Sequence, residues 1–174
     1  KELDGYIINY HLWDLTKLFK IVSSERAAQD IVVDFIDEFG CCLPALPVDL
    51  EQTEYKAYLS VVPGKVLAKL YEKYGAKLME RNVRTFLQAK GKVNSGIRKT
   101  ILKEPERFFA YNNGITATAE HVGFEGDKIC SLTNLQIVNG GQTTASLFNT
   151  YYRDKANLDN VYVQMKLSEE ERKI

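Results

Sequence analysis

Two asparagine–glycine turns hold the residues of this sequence best suited to binding a ligand. In the first, Phe108-Phe109-Ala110-Tyr111 runs into Asn112-Asn113-Gly114, and the β-branched pair Ile115-Thr116 follows. In the second, Ile137-Val138 stops at Asn139-Gly140-Gly141, and Gln142-Thr143-Thr144 leads into Leu147, Phe148 and Tyr151 at helical spacing. A strand, a glycine turn and a helix start present backbone N–H groups, amides and hydroxyls at a helix N-terminus, where anions bind well. Glycine lets the backbone approach a ligand closely. The predicted ligand-binding set is therefore Asn112, Asn113, Gly114, Asn139, Gly140, Gly141, Gln142, Thr143 and Thr144. A structural reading stands beside it: Thr143 or Thr144 as a helix cap, and the asparagines as turn formers that tolerate positive φ. If strands from Ile115 and Leu135 pair, both turns reach the same sheet end.

Charge points to a second candidate surface. The chain has 23 basic and 23 acidic residues, so formal net charge is zero and there is no global nucleic-acid signature. From Arg81 to Arg107, however, eight cations stand against Glu104 and Glu106, a local +6. Lys90, Lys92, Arg98, Lys99 and Lys103, with the amide of Asn94, form the predicted nucleic-acid-binding set, and Phe86, Phe108 and Tyr111 offer stacking faces. The competing reading is a solvated helix face. Arg84, between Val83 and Phe86, reads as inward-pointing and able to hold an anion or carboxylate, so it joins the ligand-binding set.

Other chemistry is sparse. Cys41, Cys42 and Cys130 are odd in number and form no C-x-x-C, so neither a disulfide framework nor a zinc site is expected, and a reducing cytoplasm fits. His11 and His121 are isolated in sequence and read as structural or surface residues. Glu54-Tyr55-Lys56 is only a faint nuclease-like E-x-K. No motif names a cofactor or a metal. No apolar run approaches membrane-spanning length and no signal peptide is visible, so no membrane partner is expected.

The elements that must position these residues read as α+β. Tyr6–Tyr10, Ile31–Phe35 and Tyr55–Val61 pattern as strands, and Asp14 can cap a helix carrying Leu15, Leu18 and Phe19. Cys41–Asp49, with Pro44 and Pro47, reads as a loop. Leu67, Leu70, Tyr71, Tyr74 and Leu78 form one helical stripe. Asn94 or Ser95 can cap a helix with Ile97 and Ile101 inward, stopped by Pro105. Ile115–Ala119, the run from Leu135 and Val161–Leu167 pattern as strands, with a helix over Thr144–Tyr152. The prediction is a mixed sheet flanked by helices: residues 1–50 as a strand–helix–strand lobe, and 51–174 as the core domain.

The two Asn-Gly motifs, with Tyr74-Gly75, Asn82-Val83-Arg84, Phe86-Leu87 and Lys92-Val93-Asn94, resemble the signature of the abortive-infection phage-resistance (AIPR) family. The resemblance runs from about Tyr58 to Gln142. It implies a core domain of a bacterial antiphage defence protein, part of a longer chain in which a segment resembling a restriction endonuclease precedes this region. It implies recognition of nucleic acid or a nucleotide and control of that nuclease-like domain of the same full-length protein. Two alternatives stand: the domain is itself a nuclease or nucleotide hydrolase, or it is a protein-interaction module sensing a phage component. The Gly-Gln turn also resembles turns of ParB-like domains. Thr143 stands where those have His or Gln and no Arg follows, which weakens any inference of nucleotide hydrolysis.

Overall fold

The computed structural model describes residues 31–49, 55–79 and 92–170, with two short strands, β1 (Glu2–Leu3) and β2 (Tyr6–Ile7). The helix expected after Asp14, the stretch Asn82–Gln88 and the candidates Arg84 and Lys90 lie outside the described residues. The chain divides into two compact units, 1–30 and 31–174. In the first, β1 and β2 pair antiparallel, Glu2 opposite Ile7 and Leu3 opposite Tyr6.

The second unit contains β3 (Val32–Asp34), α1 (Phe35–Phe39), β4 (Leu43–Val48), β5 (Lys56–Pro63), α2 (Gly64–Tyr74) and a 3-10 turn at Gly75–Leu78. After these come α3 (Lys92–Lys103), a 3-10 turn at Pro105–Arg107, α4 (Phe108–Tyr111), β6 (Ile115–Ala119), β7 (His121–Glu125), β8 (Lys128–Thr133), β9 (Gln136–Asn139), α5 (Gly141–Tyr152) and β10 (Tyr162–Glu169). One eight-stranded sheet runs β3-β8-β4-β5-β10-β6-β9, with β7 paired to β8. Among the described strands β10 and β6 pair in parallel and the other pairs are antiparallel, so the sheet is mixed and the α+β expectation holds.

Alternation along the strands decides which sheet face is covered. Tyr58, Val62, Val163, Met165, Leu167, Ile115, Ala117 and Ile137 are buried, while Leu59, Tyr162 and Lys166 are exposed. α2 and α3 each pack against α5. The Tyr152 hydroxyl donates to the Glu72 carboxylate, which joins α5 to α2 and pushes the phenol up to about 12.

Several expectations are corrected. Phe35 does not extend a strand: Asp34 Oδ1 accepts the Ile36 and Asp37 N–H groups at 2.9 Å and caps a helix that starts at Phe35. Residues 43–48 are strand β4 rather than loop. β4 pairs with β8 through Leu43 and Pro44 and with β5 through Ala45–Val48, so each half has a neighbour on one side only, and a missing proline N–H is tolerated. The sheet therefore takes strands from before position 51. α3 begins at Lys92, so Asn94 lies in its first turn rather than before it, and α5 begins at Gly141 rather than Thr144. No disulfide framework was expected, but Cys42 and Cys130 form a disulfide. They are 88 positions apart, and the β4–β8 register that makes them neighbours cannot be read from cysteine spacing.

Candidate functional site

The two Asn-Gly turns meet. α4 buries Phe108 and ends at Asn112, whose backbone is extended and whose Oδ1 accepts the Gly114 N–H at 2.9 Å. Gly114 adopts φ +76, and a Cβ there would lie 2.3 Å from the Gln164 carbonyl oxygen of β10. Gln164 Nε2 donates back to the Asn112 carbonyl at 3.2 Å. In the second turn Asn139 Oδ1 accepts the Gly140 N–H at 2.8 Å. Gly140 adopts φ +89, and a Cβ there would lie 2.8 Å from the Gly114 carbonyl oxygen and 2.6 Å from Ile115 Cγ2. The turns thus touch backbone to backbone where β6 and β9 pair, with Thr116 opposite Asn139 and a register shift just beyond. Asn112 Nδ2 donates to Thr143 Oγ1 at 3.2 Å, which links the first turn to the first turn of α5.

The predicted ligand-binding residues divide by exposure. Asn113 and Asn139 are exposed, and Asn112 and Gln142 are half-buried. Thr143 and Thr144 are buried, and Thr144 Oγ1 donates to the Gly140 carbonyl at 3.2 Å. The cap position of α5 is Gly140, which has no side chain to close the helix N-terminus, and no acidic residue stands in the first turn. Unbonded helix N–H groups carry partial positive charge, so this end favours an anion or a carbonyl-rich ligand.

The basic set is not brought to one place. Arg98 donates from Nε and Nη2 to Asp154 at 2.7 and 2.8 Å, which engages its guanidinium within the molecule. Lys99 and Lys103 are exposed on α3 and form no ion pair with the described residues. Of Lys92 and Asn94 only the helical backbone is described. Arg107, absent from the predicted sites, donates to the Tyr111 hydroxyl at 2.9 Å, one residue before the first turn. The i, i+4 spacing from Arg107, the last residue of the basic run, to Tyr111 was its available sequence signal.

Sequence reasoning missed a second cluster, around Glu169 at the end of β10. Its carboxylate accepts the Val122 N–H at 3.0 Å and the Tyr58 hydroxyl at 3.1 Å, with Lys56 Nζ at 3.5 Å and His121 Nδ1 at 3.3 Å. Burial raises the Glu169 pKa, but the Val122, Tyr58 and Lys56 contacts outweigh it and hold the carboxyl below its ordinary range. Burial first, then the Glu169 charge, pushes the Tyr58 phenol up. His121 is on the surface as expected, but it is not isolated from a carboxylate. Lys56 serves an ion pair, and Glu54 lies outside the described residues.

The second unit is thus a mixed-sheet α+β domain with two glycine turns joined beside an open helix N-terminus. A family described as AIPR protein matches residues 79–173. The chain belongs to that family, that of the abortive-infection phage-resistance proteins. The match starts later than the expected Tyr58 and runs well past Gln142, taking in both turns and β10. No curated protein and no solved structure matches the chain. No helix among the described residues is long and apolar enough to cross a membrane.

Proposed function

We propose that this chain is the recognition core of an antiphage defence protein. It binds nucleic acid or a nucleotide at the joined Asn-Gly turns and regulates a nuclease-like domain elsewhere in the full-length protein, in the bacterial cytoplasm. The observation that carries this reading is the contact between the turns. Asn112 is fastened to Thr143, Gly140 packs on Gly114, and the exposed amides of Asn113 and Asn139 flank the uncapped start of α5. Fixed N–H groups and amides hold a phosphate or a base edge without being rearranged on binding. Tyr111 supplies a nearby aromatic face, with the Arg107 guanidinium between its hydroxyl and the Glu104 carboxylate. Lys99 and Lys103 on α3 add charge along the same chain segment.

The test is fluorescence anisotropy of the purified chain with labelled single- and double-stranded oligonucleotides and with labelled nucleotides, over a salt series. Binding that weakens with salt and is lost in Asn113→Ala with Asn139→Ala supports the reading. A folded chain that binds none of them at low salt leaves the protein-interaction module as the function of this domain. Divalent-dependent turnover would instead make the domain itself the enzyme.

A further inference from the structure

We infer that Cys42 and Cys130 are a site of reversible thiol oxidation, and that closing this pair braces the narrowest seam of the sheet. β4 and β8 pair through only two positions, Leu43 opposite Ile129 and Pro44 opposite Lys128. β3, β7 and β8 lie on one side of this seam, and β4, β5, β10, β6 and β9 on the other. One step further along the same register, Cys42 faces Cys130 with their Cα atoms 4.5 Å apart. That spacing belongs to a directly opposed, non-hydrogen-bonded antiparallel pair, whose side chains leave the same face of the sheet. The sulfurs are therefore neighbours because of the fold, whether bonded or not.

Access to the bond is one-sided. Cys130 is buried at 6% exposure and Cys42 is half-buried, so a reductant meets the Cys42 sulfur first. A dithiol reductant attacks there, the S–S bond breaks, and a mixed disulfide forms at Cys42. The electron pair leaves on Cys130, which takes a proton. The second thiolate of the reductant then displaces the Cys42 sulfur, which takes a proton, and departs as its own disulfide. Two electrons and two protons have passed to the protein, and a disulfide oxidant such as oxidised glutathione reverses the exchange.

The inference rests on the proposed function only for its compartment. Disulfides of a reducing cytoplasm are transient or redox-sensing rather than permanent staples. The seam is also placed to matter, because the β7–β8 hairpin connects the end of β6 to the start of β9, and those two strands carry the Asn-Gly turns.

The test equilibrates the 174-residue chain with glutathione at a series of reduced-to-oxidised ratios, quenches with acid, alkylates with N-ethylmaleimide and reads intact mass. The expected result is a switch from one adduct, on Cys41, to three as the ratio rises, with Cys41→Ser shifting the counts to none and two. Three adducts at every ratio, or one adduct even in excess dithiol under native conditions, would overturn reversibility. Melting should fall by on the order of 5–15 °C on reduction. That difference should be absent in Cys42→Ser and in Cys130→Ser, and an unchanged wild-type melting temperature would overturn the bracing. Glu125 places a carboxylate within 4.8 Å of both sulfurs. Stoichiometric Zn²⁺ uptake by the reduced chain, lost in Cys42→Ser, would make the pair metal ligands and overturn the redox assignment. None of these readouts involves oligonucleotide binding, so the two proposals fail separately.

Discussion

A side chain at position 140 has nowhere to go. Gly140 combines a left-handed φ of +89 with a virtual Cβ 2.8 Å from the Gly114 carbonyl oxygen, so alanine there meets both backbone strain and overlap. Gly140→Ala should cost about 2–4 kcal/mol in denaturant unfolding. Gly126 is the internal comparison: its φ is +62 but nothing lies within 4 Å of the added carbon, so Gly126→Ala should cost only about 1 kcal/mol. Equal losses at the two sites would show that the turns are not packed on each other. The neighbouring asparagines differ in role in the same way. Asn112→Ala strands the Gly114 N–H and should cost about 1–2 kcal/mol, whereas exposed Asn113→Ala should change stability by less than about 0.5 kcal/mol and act on binding alone. Glu169 sets a pH dependence. Its folded pKa lies below the ordinary value of 4.5, so the stability it contributes is present above that value and is lost as pH falls through the folded pKa. Glu169→Gln should therefore unfold with a shallower dependence on pH below 4.5 than the wild type, read from urea midpoints across that range. An unchanged slope would remove Glu169 as the source.

At the scale of the element, α3 shows how one helix can carry both structural and available charge. Arg98 is held in a bidentate pair with Asp154 beyond α5, whereas Lys99 and Lys103 face solvent. If α3 contacts phosphates, Lys99→Ala with Lys103→Ala should flatten the log–log salt slope by up to about 2 and weaken all sequences alike. Arg98→Ala should leave that slope unchanged and lower stability only slightly, because its partner is intramolecular and the pair is exposed. The reverse pattern would put Arg98 on the ligand and the lysines in the bland solvated face. The alternation that makes β5, β6 and β10 was plain in the sequence, and so was the stripe of α2, because one face of each is buried and side-chain spacing records that. The stops were legible where a residue enforces them, as Pro105 does after α3. What was not legible depends on partners distant in sequence. β4 looks like a loop because Pro44 and Pro47 interrupt it, and only its half-and-half pairing with β8 and β5 makes those prolines acceptable. β7 and β8 turn at Gly126-Asp127, but His121–Thr133 shows no clean period. Glu169, Tyr58 and His121 are scattered along the chain, so no spacing rule could gather them. The Asn-Gly turns were legible as motifs; their contact needed the β6–β9 register.

For the whole molecule, the sheet decides where the chain can be shortened. The sequence suggests a lobe of about 50 residues before the core domain, whereas the second compact unit begins at Ile31. Between those boundaries lie β3, α1 and all of β4, with Phe35 and Leu43 each at 1% exposure. Phe35 and Leu43 also line the small apolar void between the sheet and α2, with Val62, Leu67 and Ile137. Deleting one such side chain typically costs about 3 kcal/mol or more, so losing both already reaches the 5–15 kcal/mol that a domain has in total, before the loss of two strands is counted. It would also open β5 and β8 as unpaired edges, which promote aggregation. A chain starting at Ile31 should therefore unfold in one cooperative transition, with a denaturant midpoint close to that of residues 1–174. A chain starting at position 51 should be insoluble, or should lack the near-ultraviolet circular dichroism of packed aromatic residues. If the shorter chain unfolds cooperatively with the same midpoint, then β3 and β4 are attached to the sheet without supporting it. The Cys42–Cys130 link would then brace nothing that the core depends on.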